Sequence, residues 1–340
     1  FSRETNASST RRFVRFAERR LASLLSFCLF TTTSASIITL AARSFWLADL
    51  IANLRVQLVL GLLLTMALSI GLRRWRWLCL TSLLLCWQAS WLFPAFVTGD
   101  VPAAERGTVS RLPVCTVNVL TSNRQHAAII RQLRSCDADV VAVLELSNDL
   151  AERINGELSD QYPHRHLLPQ DDGNFGIGLL SRTPLTAIET VSFSQWHLLS
   201  IDAEIQTGAQ AVRVIATHPI PPMSRDNFHD RNRHLNLLRE YAATSAQEGH
   251  PVIIVGDLNL TPWSPVFRDW CRKFELQDAS AASGLTPTWY RYPLFPFGLM
   301  LDHGLCTGGL DGRRVAVLDD MGSDHRAVMF EFHATNQRIR

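Results

Sequence analysis

The 340 residues carry a formal net charge of only +2, yet the charge is divided unevenly along the chain. Residues 1–100 hold eleven Arg, four acidic residues and no His, whereas 101–340 hold all eleven His with 22 basic and 27 acidic residues, a net of −5. The acidic larger part lacks the basic footprint of a committed duplex binder, no repeats or low-complexity tracts are present, and the length suggests about two domains.

Residues 21–42 are free of charge and follow Arg11, Arg12, Arg15, Arg19 and Arg20. They are long enough for a hydrocarbon layer needing about 20 residues. A second candidate span, 56–72, is followed by Arg73-Arg74-Trp75-Arg76-Trp77. A third, 78–96, has Trp87, Trp91 and Phe93 toward its far end, where an aromatic belt is expected. Two further spans, and no small-x-small cleavage site before Arg43, argue against a cleaved signal peptide. Between the first two spans, Trp46, Leu47, Leu50, Ile51 and Leu54 recur at helical spacing, which predicts a short helix in the membrane interface. Five arginines before span one and three between spans two and three place both regions in the cytoplasm. An odd number of spans then puts the rest of the chain outside, in a bacterial periplasm or on the outer face. The implied plan is a basic tail over 1–20, a membrane region over 21–96, a Gly- and Pro-containing linker over 97–112, a folded domain over 113–333 and a tail over 334–340.

Beyond the linker, apolar runs predict strands over 114–120, 139–146, 175–180, 199–205, 212–217, 252–255, 301–306 and 327–332. Helices are predicted over 126–134, 230–246 and 263–273. This alternation indicates a mixed α/β domain. Cys115, Cys136, Cys271 and Cys306 would meet an oxidising compartment. Cys115 and Cys136 lie where a disulfide is geometrically possible, but buried free thiols are the stronger expectation.

The run Val252-Ile253-Ile254-Val255-Gly256-Asp257-Leu258-Asn259 reads as a strand buried on both faces that ends in two polar residues. An extended backbone would point Asp257 and Asn259, two apart, to the same side. Polar residues end other strands too: Asn118 on the first, Glu145 after Val141-Ala142-Val143-Leu144, His218 after 212–217, Asp302-His303 at the start of the next, and Ser323-Asp324-His325 before the last. A carboxylate ending a buried strand requires a partner, a metal or a positive group. Each residue alone is weak, since a single His or Asp is usually structural; six such endings in one domain are hard to explain as accidents.

These motifs resemble the endonuclease/exonuclease/phosphatase family of magnesium-dependent phosphodiesterases. In family order they are Asn118, the strand-ending Glu145, Thr217-His218, Gly256-Asp257-Leu258-Asn259, Leu301-Asp302-His303 and Ser323-Asp324-His325. The resemblance runs from about Leu112 to Phe332, and the preceding spans resemble a bacterial membrane-tethered subgroup. It implies a four-layer α/β sandwich of two packed mixed sheets flanked by helices. It further implies a Mg²⁺ site, with Mn²⁺ as a substitute, formed by Glu145 with Asn118 and Asp324. Asp257 becomes the proton acceptor for water, oriented with phosphate by Asn259; His325, backed by Asp302, the phosphate ligand or acid; and His218 a donor to phosphate oxygen. The alternative gives His325 the proton. Leu120 stands where many family nucleases carry a second acid, which puts a second metal position in doubt. His218, where abasic endonucleases have Tyr, follows the deoxyribonuclease and sphingomyelinase pattern.

Two natural phosphodiester substrates follow for a domain tethered to a bilayer: nucleic acid, as in an endonuclease or exonuclease, and phospholipid, as in a sphingomyelinase. Phosphatase activity, or a non-catalytic binding module that keeps the fold, are the other readings. Arg225, Arg231 and Arg233 form either a loop reaching substrate phosphates or a solvated helix start. The segment 284–300 holds Trp289, Tyr290, Tyr292, Phe295 and Phe297. It reads as a stacking rim, a bilayer-dipping loop or, as favoured, a lid packed on the core.

Overall fold

The computed structural model describes residues 2–97, 111–208, 210–273, 275–291 and 297–334. Most of the expected linker, Tyr292, Phe295 and the last six residues lie outside that set. The chain divides into two units, Phe1–Phe93 and Pro94–Arg340.

The first unit is helical: α1 (Ser2–Ile38), α2 (Trp46–Asn53), α3 (Arg55–Gly71) and α4 (Trp75–Ser90). Only one of the three expected spans is realised as a single helix long and apolar enough to cross a membrane, over Arg15–Ala41. The second run passes that test only if α2 and α3, bent by 68° at their junction, count together. The third falls short. At 16 residues α4 is about 24 Å long, against a hydrocarbon thickness of about 30 Å. The rest of the 78–96 run breaks into a turn and a short 3₁₀ segment at Phe93–Ala95, because Pro94 cannot continue a helix. Counting uncharged residues missed that stop.

In chain order the second unit contains β1 (Arg111–Asn118), α5 (His126–Ser135), β2 (Val140–Leu144), α6 (Asn148–Glu157), β3 (His164–Leu168), β4 (Ile177–Ser181), β5 (Leu185–Ser192), β6 (Leu199–Thr207), β7 (Gln210–Ala216), α7 (Arg225–Gln247), β8 (Val252–Asp257) and α8 (Pro265–Lys273). The short strands β9 (Gln277–Asp278), β10 (Trp289–Tyr290) and β11 (Gly298–Leu299) follow, then β12 (Asp302–Cys306), β13 (Leu310–Val317) and β14 (Val328–Ala334). Two six-stranded mixed sheets result, ordered β13-β14-β1-β2-β4-β3 and β5-β6-β7-β8-β12-β9.

The sheets pack face to face through Val114, Ala142, Leu144, Ile201, Val214, Ile253, Val255 and Phe330. Helices α5 and α6 cover the outside of the first sheet with Ile129, Leu133, Leu150 and Ile154. Helices α7 and α8 cover the second with Leu235, Leu238, Phe267 and Trp270. This is the expected four-layer sandwich. Its central strands are apolar on both faces because both are covered. Among the described residues all seven cysteines are free thiols, and Cys115 and Cys136 are buried against the α5 side of the first sheet.

Strand register places the site. β1 runs parallel to β2, with Asn118 opposite Leu144, so Asn118 and Glu145 leave the first sheet together. β7 runs parallel to β8, with Ala216 opposite Val255, which brings His218 alongside Asp257. β12 runs antiparallel to β8 with Asp302 opposite Asp257. Functional side chains thus gather at the carboxyl ends of parallel pairs from both sheets, where turns free the backbone from ladder bonding.

Candidate active site

Asn118 joins the two sheets. Its Nδ2 donates to Glu145 Oε1 at 2.8 Å and to Asp257 Oδ2 at 3.4 Å. The same Asp257 oxygen lies 3.5 Å from His218 Nε2 and 3.4 Å from His325 Nε2. His325 Nδ1 in turn faces Asp302 Oδ2 at 2.9 Å. One buried carboxylate oxygen is therefore the hub for an amide and two imidazoles, with a second carboxylate behind one of them.

The backbone is shaped to present these groups. Gly256 lets β8 approach the preceding strand closely: a Cβ there would sit 1.9 Å from the Thr217 carbonyl oxygen. Glu145 leaves β2 in a left-handed conformation, φ +57°, and its carbonyl accepts from Thr121 Oγ1 at 3.0 Å. Ser323 donates its hydroxyl to the Asn118 carbonyl at 2.8 Å and accepts the His325 N–H at 3.1 Å. That pair of bonds pins the Ser-Asp-His loop onto the end of β1.

Asn259 departs from its expected geometry. Its φ of +54° turns the chain out of the extended form, so the two-residue spacing no longer puts its side chain beside that of Asp257. Its backbone N–H donates to Asp257 Oδ1 at 2.9 Å, while its side-chain amide donates to the Pro219 carbonyl at 2.9 Å. Asp324 is likewise linked to the cluster through its neighbour, His325. Its Oδ2 accepts the Trp289 indole N–H at 2.9 Å, and its carbonyl accepts the Tyr290 N–H at 2.8 Å.

Burial alone would raise the pKa of Asp257, but the charge of His325 and the hydrogen bond and charge of His218 pull it down to about 2. Burial opposes protonation of His325, yet the Asp302 and Asp257 carboxylates push its pKa up to about 10. His218 is raised too, burial being overcome by its hydrogen bond to Asp257 and by that residue's charge. At neutral pH the cluster thus holds an ionised Asp257 against a protonated His325, with His218 biased toward its charged form, a preorganised field for an anionic phosphate group.

Glu145 is different. Burial raises its pKa, against the charge of His218 and the Asn118 hydrogen bond. Among the described residues its side-chain oxygens accept only from neutral groups, Asn118 Nδ2 and the Thr121 N–H. A nearly buried carboxylate without a cation in contact suits a divalent ion, and the oxygen donors of Asn118, Glu145 and Asp324 suit a hard one. The described residues whose ligand atoms already lie within 4.8 Å of one another are instead Asp257, Asp302 and His325. Both ring nitrogens of His325 face carboxylates there, so that trio reads as a proton-holding relay.

Three contributors escaped the sequence. Trp289 was noted as an aromatic, not as the partner of Asp324. Thr121 braces Glu145. Beneath His218, the Thr217 hydroxyl lies 2.8 Å from both Ser200 Oγ and His234 Nε2. Burial, reinforced by the charge of His218, lowers the His234 pKa to about 3, so that ring stays neutral. His234 falls beside Leu235 on the buried face of α7, the one available signal. Of the three arginines expected in a substrate loop or helix start, all lie in α7. Arg225 and Arg233 are exposed, while Arg231 is buried and donates to the Asn259 carbonyl at 3.2 Å.

A four-layer sandwich with acids, amides and imidazoles assembled at the rim of its paired sheets defines a hydrolase fold acting on phosphate esters. The chain belongs to the Endonuclease/Exonuclease/phosphatase family, whose pattern matches residues 115–325. No curated protein matches its sequence. Among solved structures it is similar to D. rerio TDP2 complexed with a single-strand DNA product, at 18% identity and TM-score 0.54, covering 66% of this chain and 99% of that one. It is also similar to sphingomyelinase C from Streptomyces griseocarneus, at 20% identity and TM-score 0.51, covering 66% and 99%. The human Nocturnin catalytic domain with a bound sulfate gives 16% identity and TM-score 0.55, covering 66% and 94%. At these identities the likeness establishes the fold.

Proposed function

We propose that the chain is a membrane-anchored, Mg²⁺-dependent phosphodiesterase, with Mn²⁺ able to substitute, acting on nucleic acid in the manner of an endonuclease or exonuclease. The observation that carries this reading is the convergence of Asn118, His218 and His325 on one oxygen of Asp257, within 3.4–3.5 Å. Asn118, Glu145 and Asp324 would hold the ion, which supplies charge neutralisation at the phosphate oxygens. Asp257 takes the proton of the attacking water. As water oxygen bonds to phosphorus, the bond to the leaving oxygen breaks, and His325, held protonated by Asp302, supplies the proton that the leaving oxygen needs. His218 donates to a non-bridging oxygen, and Asn259 orients the water through Asp257. Asp257 is a weak base while paired with the imidazoles of His218 and His325. Arrival of a phosphate anion draws on the same two rings and raises the basicity of Asp257 when it is needed.

Helix α1, with the arginines of its first half, would anchor the chain in a bacterial plasma membrane and leave the catalytic domain extracytoplasmic. A phospholipid substrate is the second reading. It is favoured by the net charge of −5 over residues 101–340 and by exposed Trp196, Met223 and Phe297 on the catalytic unit. The test is hydrolysis by the full chain in detergent, with Mg²⁺ or with chelator, across single-stranded DNA, RNA, sphingomyelin, phosphatidylcholine and a phosphomonoester. Asp257→Ala and His325→Ala should each lower turnover at least about a hundredfold. Wild-type turnover in both variants would overturn the acid/base assignment, and inert wild-type protein across the panel would leave a binding module in place of an enzyme.

A further inference from the structure

The helical unit contains a cavity that the catalytic reading does not use. It has a volume of about 560 Å³ and lies between α1 and the start of α4. Its walls include Leu25, Leu29 and Phe30 from α1 and Trp77 and Leu80 from α4, with Arg74 and Arg76 on its border. That volume falls among pockets that enclose a small molecule, and its apolar walls suit a hydrocarbon chain. Charge points to the rest of the occupant. Arg74 immediately precedes α4 and Arg76 lies in its first turn, and both are exposed. Arg76 stacks on Trp77 at 5.1 Å. Among the described residues no carboxylate lies within ion-pair distance of either guanidinium, and no acidic residue lines the cavity. An apolar slot ending in two uncompensated cations is complementary to one molecule with an acyl chain and an anionic head.

We propose that this groove binds an anionic phospholipid, its acyl chain between α1 and α4 and its phosphate against Arg74 and Arg76. The site rests on the membrane-anchored reading, because only a bilayer supplies such a ligand at high concentration. It does not depend on which phosphodiester the catalytic unit hydrolyses.

The test places the full chain in phosphatidylcholine vesicles containing either spin-labelled phosphatidylglycerol or spin-labelled phosphatidylcholine, and measures the motionally restricted fraction of each. Wild type should restrict the anionic probe preferentially. Arg74→Gln with Arg76→Gln should lower that preference by about thirtyfold, about 1 kcal/mol for each cation near the surface. Arg12→Gln with Arg15→Gln, two arginines outside the groove, should leave it unchanged. Ala22→Trp should abolish restriction of the probe by filling the slot with no change in charge. Helicity by circular dichroism verifies that each variant is folded. Equal restriction of both probes by wild type overturns the proposal, as does a preference that survives both the arginine pair and Ala22→Trp. A chain that inserts into the vesicles without such a preference overturns the lipid site alone. A chain that fails to associate with the vesicles overturns the membrane reading and the site with it.

Discussion

Replacing Asp302 by Asn retains side-chain volume and leaves the β8–β12 register intact, but removes the charge facing His325 Nδ1 at 2.9 Å. Both residues are buried, at 1% and 4% exposure, so solvent screens the pair little. A carboxylate in such contact shifts its partner by about 1 to 3 pKa units, at about 1.4 kcal/mol per unit. The His325 pKa is pushed up to about 10 in the native protein. In the variant its protonated form should therefore lose about 1.4–4 kcal/mol of support, and its titration should fall to about pH 7–9. The sign follows from the raised native value. Stabilisation by the imidazolium is complete below its ordinary pKa of about 6.5 and is lost as pH rises through about 10 in wild type, and at lower pH in the variant. If His325 serves the leaving oxygen, the alkaline limb of turnover should move down from about pH 10 to about pH 7–9, with a loss of up to about a hundredfold at about pH 9, equivalent to about 3 kcal/mol of barrier. The assay is kcat against pH on bis(4-nitrophenyl) phosphate, with the His325 ring proton followed by NMR. A folded Asp302→Asn protein with turnover within about threefold of wild type and an unmoved alkaline limb would refute the relay.

Three further outcomes test separate links. The neutral, buried His234, with its pKa lowered to about 3, destabilises the fold as pH falls from about 6.5 toward that value, by about 1.4 kcal/mol per pH unit; His234→Gln should flatten the acid limb of urea-unfolding stability. Gly256→Ala would put a Cβ 1.9 Å from the Thr217 carbonyl, and should cost about 3 kcal/mol or more in thermal unfolding because rigid backbone cannot yield. Trp289→Phe removes the donor that holds Asp324 Oδ2. By analogy with partners that orient metal ligands elsewhere, it should weaken Mn²⁺ binding about 10–100-fold in calorimetric titration, and unchanged affinity would exclude that role.

The sequence revealed central strands better than edges, for a physical reason. β1, β2, β4, β7, β8, β12 and β14 are covered on both faces and read as apolar runs. Apart from the two-residue strands β9, β10 and β11, the strands it did not announce, β3, β5 and β13, each end a sheet. β3 is half-buried throughout and β5 mostly exposed, so neither carries the pattern that burial writes into a core strand. The candidate-site residues were legible because they lie at or beside the ends of such core strands. Their geometry was less so: alternation along a strand ceases to apply where Asn259 leaves the extended region. Asp324 shows the same limit, since its partner Trp289 lies 35 residues away in a segment whose aromatics looked like a lid.

Local strain connects these observations. Leu120, Glu145 and Asn259 all adopt left-handed backbone, at φ +60°, +57° and +54°, a conformation that costs about 1–3 kcal/mol for such residues and persists only where surroundings over-determine it. Each is held by a specific bond. The Leu120 N–H meets Asn118 Oδ1 at 3.1 Å, the Glu145 carbonyl meets Thr121 Oγ1 at 3.0 Å, and the Asn259 N–H meets Asp257 Oδ1 at 2.9 Å. Two of these three bonds end on side chains that also bond within the cluster. Loss of Asn118 or Asp257 would therefore release backbone strain as well as remove a polar group. Part of the stability of the sheet rim is committed to keeping the Glu145 carboxylate and the Asp257 hub within reach of a single amide nitrogen, an arrangement that folding alone does not require and that the proposed phosphate-ester chemistry would.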